Sequence, residues 1–238
     1  MPARSAAFVT GGTGALGRAV VARFLEDGLR VAVTYRDSRE WTELRSSLAD
    51  AAGSGDLIGL ESDVTDEASV GRAVSQAAKD LGGIRVLMHV AGGYMGGMPV
   101  ERSEERAVRR MFDLNLMSAF WAAKHAIPHT KSSGAGRLLF VSSRGAVEAS
   151  AGAAAYAASK AGLHALVQTL AKELRADRVT ANAILPSVID TAANRAAMPD
   201  ANPEIWVRPE EIAALLSFLA SESASAISGA LIPIYGRA

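Results

Sequence analysis

Seven short apolar or β-branched runs alternate along the chain with longer stretches of helical period. The runs are Ala6–Thr10, Arg30–Tyr35, Leu57–Glu61, Arg85–Val90, Arg137–Val141, Val179–Leu185 and Ala230–Ile234. The helical stretches lie near 15–27, 39–52, 66–81, 101–130, 154–176 and 209–221. Strands separated by helices of this length form βαβ units, because a parallel neighbour can be reached only through a crossover. The runs show little polar alternation, as strands covered on both faces do. The expected fold class is α/β: a single-domain Rossmann fold with a doubly wound parallel sheet of about seven strands and helices on both faces. No Pro/Gly/Ser linker divides residues 1–238, so one domain is expected over that range. Ser187–Val207 carries two prolines and several Asn and Asp residues, and reads as an irregular, mobile lid over a substrate.

Composition narrows the function classes. Lys plus Arg, 25, balances Asp plus Glu, 25, which argues against nucleic acid or an anionic membrane as partner. The absence of cysteine removes disulfides, thiolate metal sites and cysteine nucleophiles. Met1–Thr10 lacks the pattern of a signal peptide, and no run approaches the roughly 20 apolar residues of a membrane span. A cytoplasmic protein is expected. His125 and His129 are four apart, but no third ligand accompanies them, so no metal site is expected.

Two motifs carry chemistry. TGGTGALG, residues 10–17, follows the first run and opens the first helix. Glycines let a backbone approach a pyrophosphate, and the helix N-terminus attracts its charge. Gly11, Thr13, Gly14, Ala15, Leu16 and Gly17 are the candidate phosphate-binding residues. The second run ends on Tyr35 and Arg36, where a carboxylate would select NAD(H). A guanidinium there favours the 2′-phosphate of NADP(H), with NAD(H) as the alternative and Asp37 as a diluting charge. The second motif is Tyr156-Ala-Ala-Ser-Lys160. Residues four apart share a helix face, and a neighbouring ammonium is expected to lower the phenol's pKa for acid–base work. Such a spacing arises by chance in about one chain in twelve of this composition and needs support. Ser142 and Ser143 supply it at the end of the fifth run, where strand ends face the ligand crevice.

In this order and spacing the chain resembles the short-chain dehydrogenase/reductase family over almost its full length. The matching pieces are TGGTGALG at 10–17, DV at 63–64, VAGG at 90–93, LNL at 114–116, SS at 142–143, YAASK at 156–160 and the P-x-x-x-x-T stretch 186–191. The resemblance implies hydride transfer between a nicotinamide and a carbonyl or alcohol. It implies a catalytic set of Asn115, Ser143, Tyr156 and Lys160, with Ser143 preferred over Ser142 by its distance of thirteen residues from Tyr156. Tyr156 would be the acid, Ser143 would hold the substrate oxygen, and Lys160 would also bind the nicotinamide ribose. Asn115 would keep a proton path to Lys160. Asp63 and Val64 would flank the adenine, Ala91 and Gly92 the ribose, and Pro186, Ile189 and Thr191 the nicotinamide end.

Three departures stand out. Ala15 replaces a glycine of the family's turn, His89-Val90-Ala91-Gly92 stands where the family has N-N-A-G, and Ser187 follows Pro186 in place of glycine. His89 puts the local hydrogen bonding in question. A small-molecule carbonyl or alcohol is the expected partner, most readily a 3-oxoacyl thioester or small ketone. VAGGYMGG and the stretch 185–199 are similar to dihydropteridine reductases, so a quinonoid pterin is the alternative substrate. A non-catalytic NADP(H) sensor is the rival from another class. Tyr94, Met95, Arg144, Glu148, Asn194, Arg195 and Trp206 are candidate pocket-wall residues, with Arg144 and Arg195 suited to an anionic substrate. The family's pairing of the helices near 101–130 and 154–176 implies a homodimer or homotetramer.

Overall fold

A computed structural model describes residues 5–237. The first four residues of the Met1–Thr10 stretch lie outside that range. Seven strands, β1 (Ala6–Thr10), β2 (Arg30–Tyr35), β3 (Leu57–Glu61), β4 (Val86–His89), β5 (Arg137–Val141), β6 (Thr180–Pro186) and β7 (Leu231–Ile234), form one sheet. Their order is β3-β2-β1-β4-β5-β6-β7, and every pairing is parallel. The order reverses between β1 and β4, the switch point at which open α/β sheets leave a crevice beyond their strand ends.

The helices are α1 (Ala15–Glu26), α2 (Ser38–Ser47), α3 (Ala49–Ser54), α4 (Glu67–Leu81), α5 (Glu105–Phe112), α6 (Ser118–Ser132), α7 (Ala154–Glu173), α8 (Ala192–Ala197) and α9 (Pro209–Ala220). Side chains alternate between the two faces of each strand, and β1 shows the consequence. Ala6 and Phe8 pack into a core shared with α4, α6 and α7, whereas Ala7 and Val9 pack into one shared with α1 and α9. Strands buried on both faces are therefore mostly apolar, and β1, β2 and β5 run between the residues expected, whereas β4, β6 and β7 are each shifted or shortened by a residue at one end or both.

Three stretches differ from their expectation. The stretch 39–52 is two helices, broken at Leu48, whose backbone (φ −124°, ψ 44°) is non-helical. The stretch 101–130 opens with a 3-10 turn at Val100–Arg102. It then runs through α5, a π turn at Asp113–Met117, and α6. The stretch 187–207 is partly ordered: Thr191 caps α8 by accepting from the Asn194 N–H at 3.1 Å, and Ile189 bridges Val207. Among the described residues no helix is long and apolar enough to cross a membrane.

Candidate active site

The β1–α1 turn is built by contact. Gly11 has φ +66°, and a Cβ there would lie 2.9 Å from the Ala91 nitrogen. A Cβ on Gly17 would lie 2.1 Å from the Gly11 carbonyl oxygen. Thr34 Oγ1 accepts from the Gly11 N–H at 3.2 Å and ties the turn to β2. A groove of about 430 Å³ runs from this turn across the ends of β2 and β3 to the end of β4. Gly11, Thr13, Gly14, Ala15, Leu16, Gly17, Tyr35, Arg36, Asp63, Val64, Ala91 and Gly92 all line it, so every candidate at the adenosine and phosphate end meets in one channel. A glycine floor beside a helix N-terminus suits a dinucleotide pyrophosphate.

The charges around Arg36 are resolved by their partners. Asp37, the suspected diluting charge, caps α2 and pairs with Arg39 at 3.0 Å. Hydrogen bonds from Thr65 hold the Asp63 carboxyl below its usual range, with the nearby Arg36 charge adding to the effect. Arg36 makes no ion pair within 4.0 Å among the described residues. The sequence reading missed Glu40, which also lines the groove and accepts from the Thr13 hydroxyl at 2.8 Å. Thr13 and Glu40 are 27 residues apart, and no local pattern joins them.

At the other end of the crevice the four catalytic candidates converge. The π turn lodges Asn115, fully buried, against the end of β4. Its Oδ1 accepts from the Gly93 N–H at 2.9 Å, and its Nδ2 donates to the Gly93 carbonyl at 3.0 Å and to Ser159 Oγ at 3.1 Å. A Cβ on Gly92 would meet Asn115 Oδ1 at 3.0 Å and Lys160 Nζ at 3.1 Å, so both groups reach the same glycine. Lys160 is buried and donates to the Val141 carbonyl at 2.8 Å. Burial pushes its pKa down to about 8. Ser143 follows β5, and its Oγ accepts from the Gly145 N–H at 3.0 Å.

Tyr156 differs from expectation in its electrostatics. Burial raises the phenol's pKa, a hydrogen bond with Ser143 opposes the shift, and Tyr94 adds to it. The Lys160 ammonium, held by the Val141 carbonyl, is not among the groups that shift it. A phenol kept protonated at neutral pH is suited to donate a proton. Tyr94 packs edge-on against Tyr156, with ring centroids 4.9 Å apart.

Other candidates settle into structural places. Ser142 Oγ pairs with His164 Nε2 at 2.8 Å, which accounts for both residues by packing. Arg144 bonds Glu148 at 2.7 Å and lies over the Tyr235 ring, while Arg195 grips both oxygens of Asp190. Asn194 Nδ2 donates to the Ile189 carbonyl at 2.8 Å. Trp206 is buried, 6% exposed. Met95 lines a separate apolar cavity of about 270 Å³ with Met98, Val108 and Met111. His125 faces Glu67 at 3.4 Å, and no cluster of three metal-ligating side chains occurs among the described residues.

Comparison with known proteins agrees with this geometry. The family model for short chain dehydrogenase matches residues 5–202. The 3-oxoacyl-[acyl-carrier-protein] reductase MabA of Mycobacterium tuberculosis is 36% identical over 96% of this chain and 90% of its own length. The cis-4-hydroxycyclohexanecarboxylate dehydrogenase of Sinomonas cyclohexanicum is 32% identical over 98% and 96%. A solved short-chain dehydrogenase/reductase from Serratia marcescens superposes with a TM-score of 0.89 at 30% identity, covering all of both chains. The chain belongs to the short-chain dehydrogenase/reductase family and is an NAD(P)-dependent oxidoreductase.

Proposed function

We propose that this protein is an NADP(H)-dependent reductase of a carbonyl substrate, with Asn115, Ser143, Tyr156 and Lys160 as its catalytic residues. The carrying observation is the meeting of Asn115 Oδ1 and Lys160 Nζ at Gly92, with the Tyr156 ring and Ser143 Oγ both meeting at Gly145 beside them. The groove suits the cofactor, because the glycine turn at the N-terminus of α1 shares its lining with Arg36 and Asp63 at the ends of β2 and β3. Arg36 would take the 2′-phosphate, Asp63 and Val64 the adenine edge, Ala91 and Gly92 the ribose, and Pro186, Ile189 and Thr191 the carboxamide end. When bound, the reduced nicotinamide supplies the hydride to the carbonyl carbon.

Ser143 then donates a hydrogen bond to the substrate oxygen as charge develops on it. Tyr156 delivers its phenolic proton to that same oxygen, completing the alcohol. Lys160 restores the phenol, its proton drawn along the path that Asn115 borders. The relatives' names include 3-oxoacyl-[acyl-carrier-protein] and acetoacetyl-CoA reductases, which supports a 3-oxoacyl thioester as substrate. Segment 187–207 serves as the substrate lid in this reading.

The test is NADPH and NADH oxidation across acyl thioesters, small ketones and a quinonoid pterin, with Tyr156→Phe as the control. Thioester turnover abolished in Y156F, with NADPH still bound, is the expected result; undiminished activity in that variant refutes the mechanism. Cofactor binding without turnover on any arm leaves the sensor reading instead. We further propose a cytoplasmic homodimer or homotetramer built on α6 and α7, where Phe120 stands 45% exposed beside Trp121. A monomeric mass by light scattering at working concentration contradicts that assembly.

A further inference from the structure

The chain's departure at His89 is joined to its catalytic asparagine by a hydrogen-bonded line with one consistent direction. His89 is 1% exposed at the end of β4. Its Nδ1 lies 2.9 Å from Thr10 Oγ1 and its Nε2 lies 3.1 Å from Ser118 Oγ. Burial, with the Lys160 charge nearby, pushes its pKa down to about 3, so the ring is neutral and carries one N–H.

Which nitrogen carries it follows from the neighbours. Ser118 spends its one hydroxyl proton on the Leu114 carbonyl at 2.6 Å, so towards His89 it can only accept. The proton is therefore on Nε2, and Nδ1 accepts from the Thr10 hydroxyl. Thr10 Oγ1 in turn accepts from the Ala91 N–H at 3.4 Å. The line runs from Ala91 through Thr10, His89 and Ser118 to the Leu114 carbonyl.

That last acceptor sits inside the π turn. There the Ser118 N–H bonds the Asp113 carbonyl, five residues back, instead of Leu114, four back. The Leu114 carbonyl, which the Ser118 N–H bypasses, accepts instead from the Ser118 hydroxyl. His89 feeds that hydroxyl. The residue after Leu114 is Asn115, whose amide bonds Gly93 and Ser159 from within the same π turn. Such turns are rare and frequently lie at functional sites.

We propose that His89 is a positioning residue: through Ser118 it holds the π turn that presents Asn115 to the catalytic centre. The kinetic part of this proposal rests on the carbonyl-reductase reading above; the structural part does not. His89→Gln keeps a donor at the reach of Nε2, His89→Leu removes it, and Ser118→Ala removes the relay even if the leucine variant fails to fold. Reductase turnover is expected to fall at least about tenfold in H89L and S118A with KM for NADPH within about twofold, since small misplacements of a catalytic group can cost about 10²-fold. H89Q is expected to stay within about threefold of the parent, and combining H89L with S118A to add nothing to either.

The side-chain amide resonances of Asn115, recorded by ¹⁵N NMR, should move in H89L and S118A and hold in H89Q. If no carbonyl is turned over, the reductase reading fails while the resonances still decide the positioning claim. Unmoved Asn115 resonances in S118A, or equal effects of Gln and Leu at position 89, overturn it.

Discussion

Gly17→Ala tests the phosphate-binding turn with one added methyl group. The new Cβ would stand 2.1 Å from the Gly11 carbonyl oxygen and 2.7 Å from the Gly12 Cα, both backbone atoms. Ordinary contact begins near about 3.4 Å, so the turn or α1 has to retreat by more than about 1 Å. No flexible side-chain end can absorb this. Overpacking of this kind costs about 1–3 kcal/mol, and α1 is anchored on both sides by Val20, Val21 and Phe24 in the core with α9. The retreat also spoils the aim of the amides at the helix N-terminus, where a 1 Å error can cost about 10²-fold.

Gly14→Ala is the matched comparison: its nearest neighbour would be the Gly11 oxygen at 3.6 Å, and its φ is −71°. NADPH affinity by titration calorimetry and Tm by calorimetry should both fall in G17A. In G14A Tm should fall far less, since only an N-cap preference of about 0.5–1 kcal/mol is lost. Parent-like affinity and Tm in G17A would refute the assignment of this turn as the pyrophosphate seat.

Two further outcomes follow from charges in the same crevice. His89 is neutral in the fold at about 3 yet titrates near 6.5 when unfolded, so its contribution is fully present above about 6.5 and is lost as pH falls towards 3. From pH 7.5 to 5.0 that loss is about 2 kcal/mol, and urea unfolding should show H89Q gaining about that much on the parent over the interval. The same pH slope in both proteins would remove His89 as its source. Arg36→Ala should raise KM for NADPH about tenfold and leave KM for NADH unchanged, because one charge-assisted bond to phosphate is lost. An equal rise for both cofactors would show that Arg36 serves the fold rather than the 2′-phosphate.

How much of this was legible in the letters depends on the range of the interaction. β1, β2, β3 and β5 run between the residues expected, because burial on both faces makes a continuous apolar run that needs no partner to be recognised. The candidates for the groove lie within short motifs, and they line one channel. What escaped is carried by polar pairs far apart in sequence. Glu40 enters the groove through Thr13, Ser159 meets Asn115 across 44 residues, and Ser118 meets His89 across 29.

The π turn escaped for a different reason. Its one-residue shift in hydrogen bonding leaves the apolar pattern of α5 and α6 nearly unbroken, so 101–130 reads as one helix.

His89 joins the two failures. As a letter it breaks the family's N-N-A-G and counts against the local hydrogen bonding. In the fold both its nitrogens are satisfied, one by Thr10 of β1 and the other by Ser118, whose hydroxyl bonds the Leu114 carbonyl in the π turn. A buried polar residue that departs from its family is tolerated only if it finds new partners or costs stability. Here one of those partners leads into the π turn that carries Asn115, so the departure bears on how the asparagine we propose as catalytic is held.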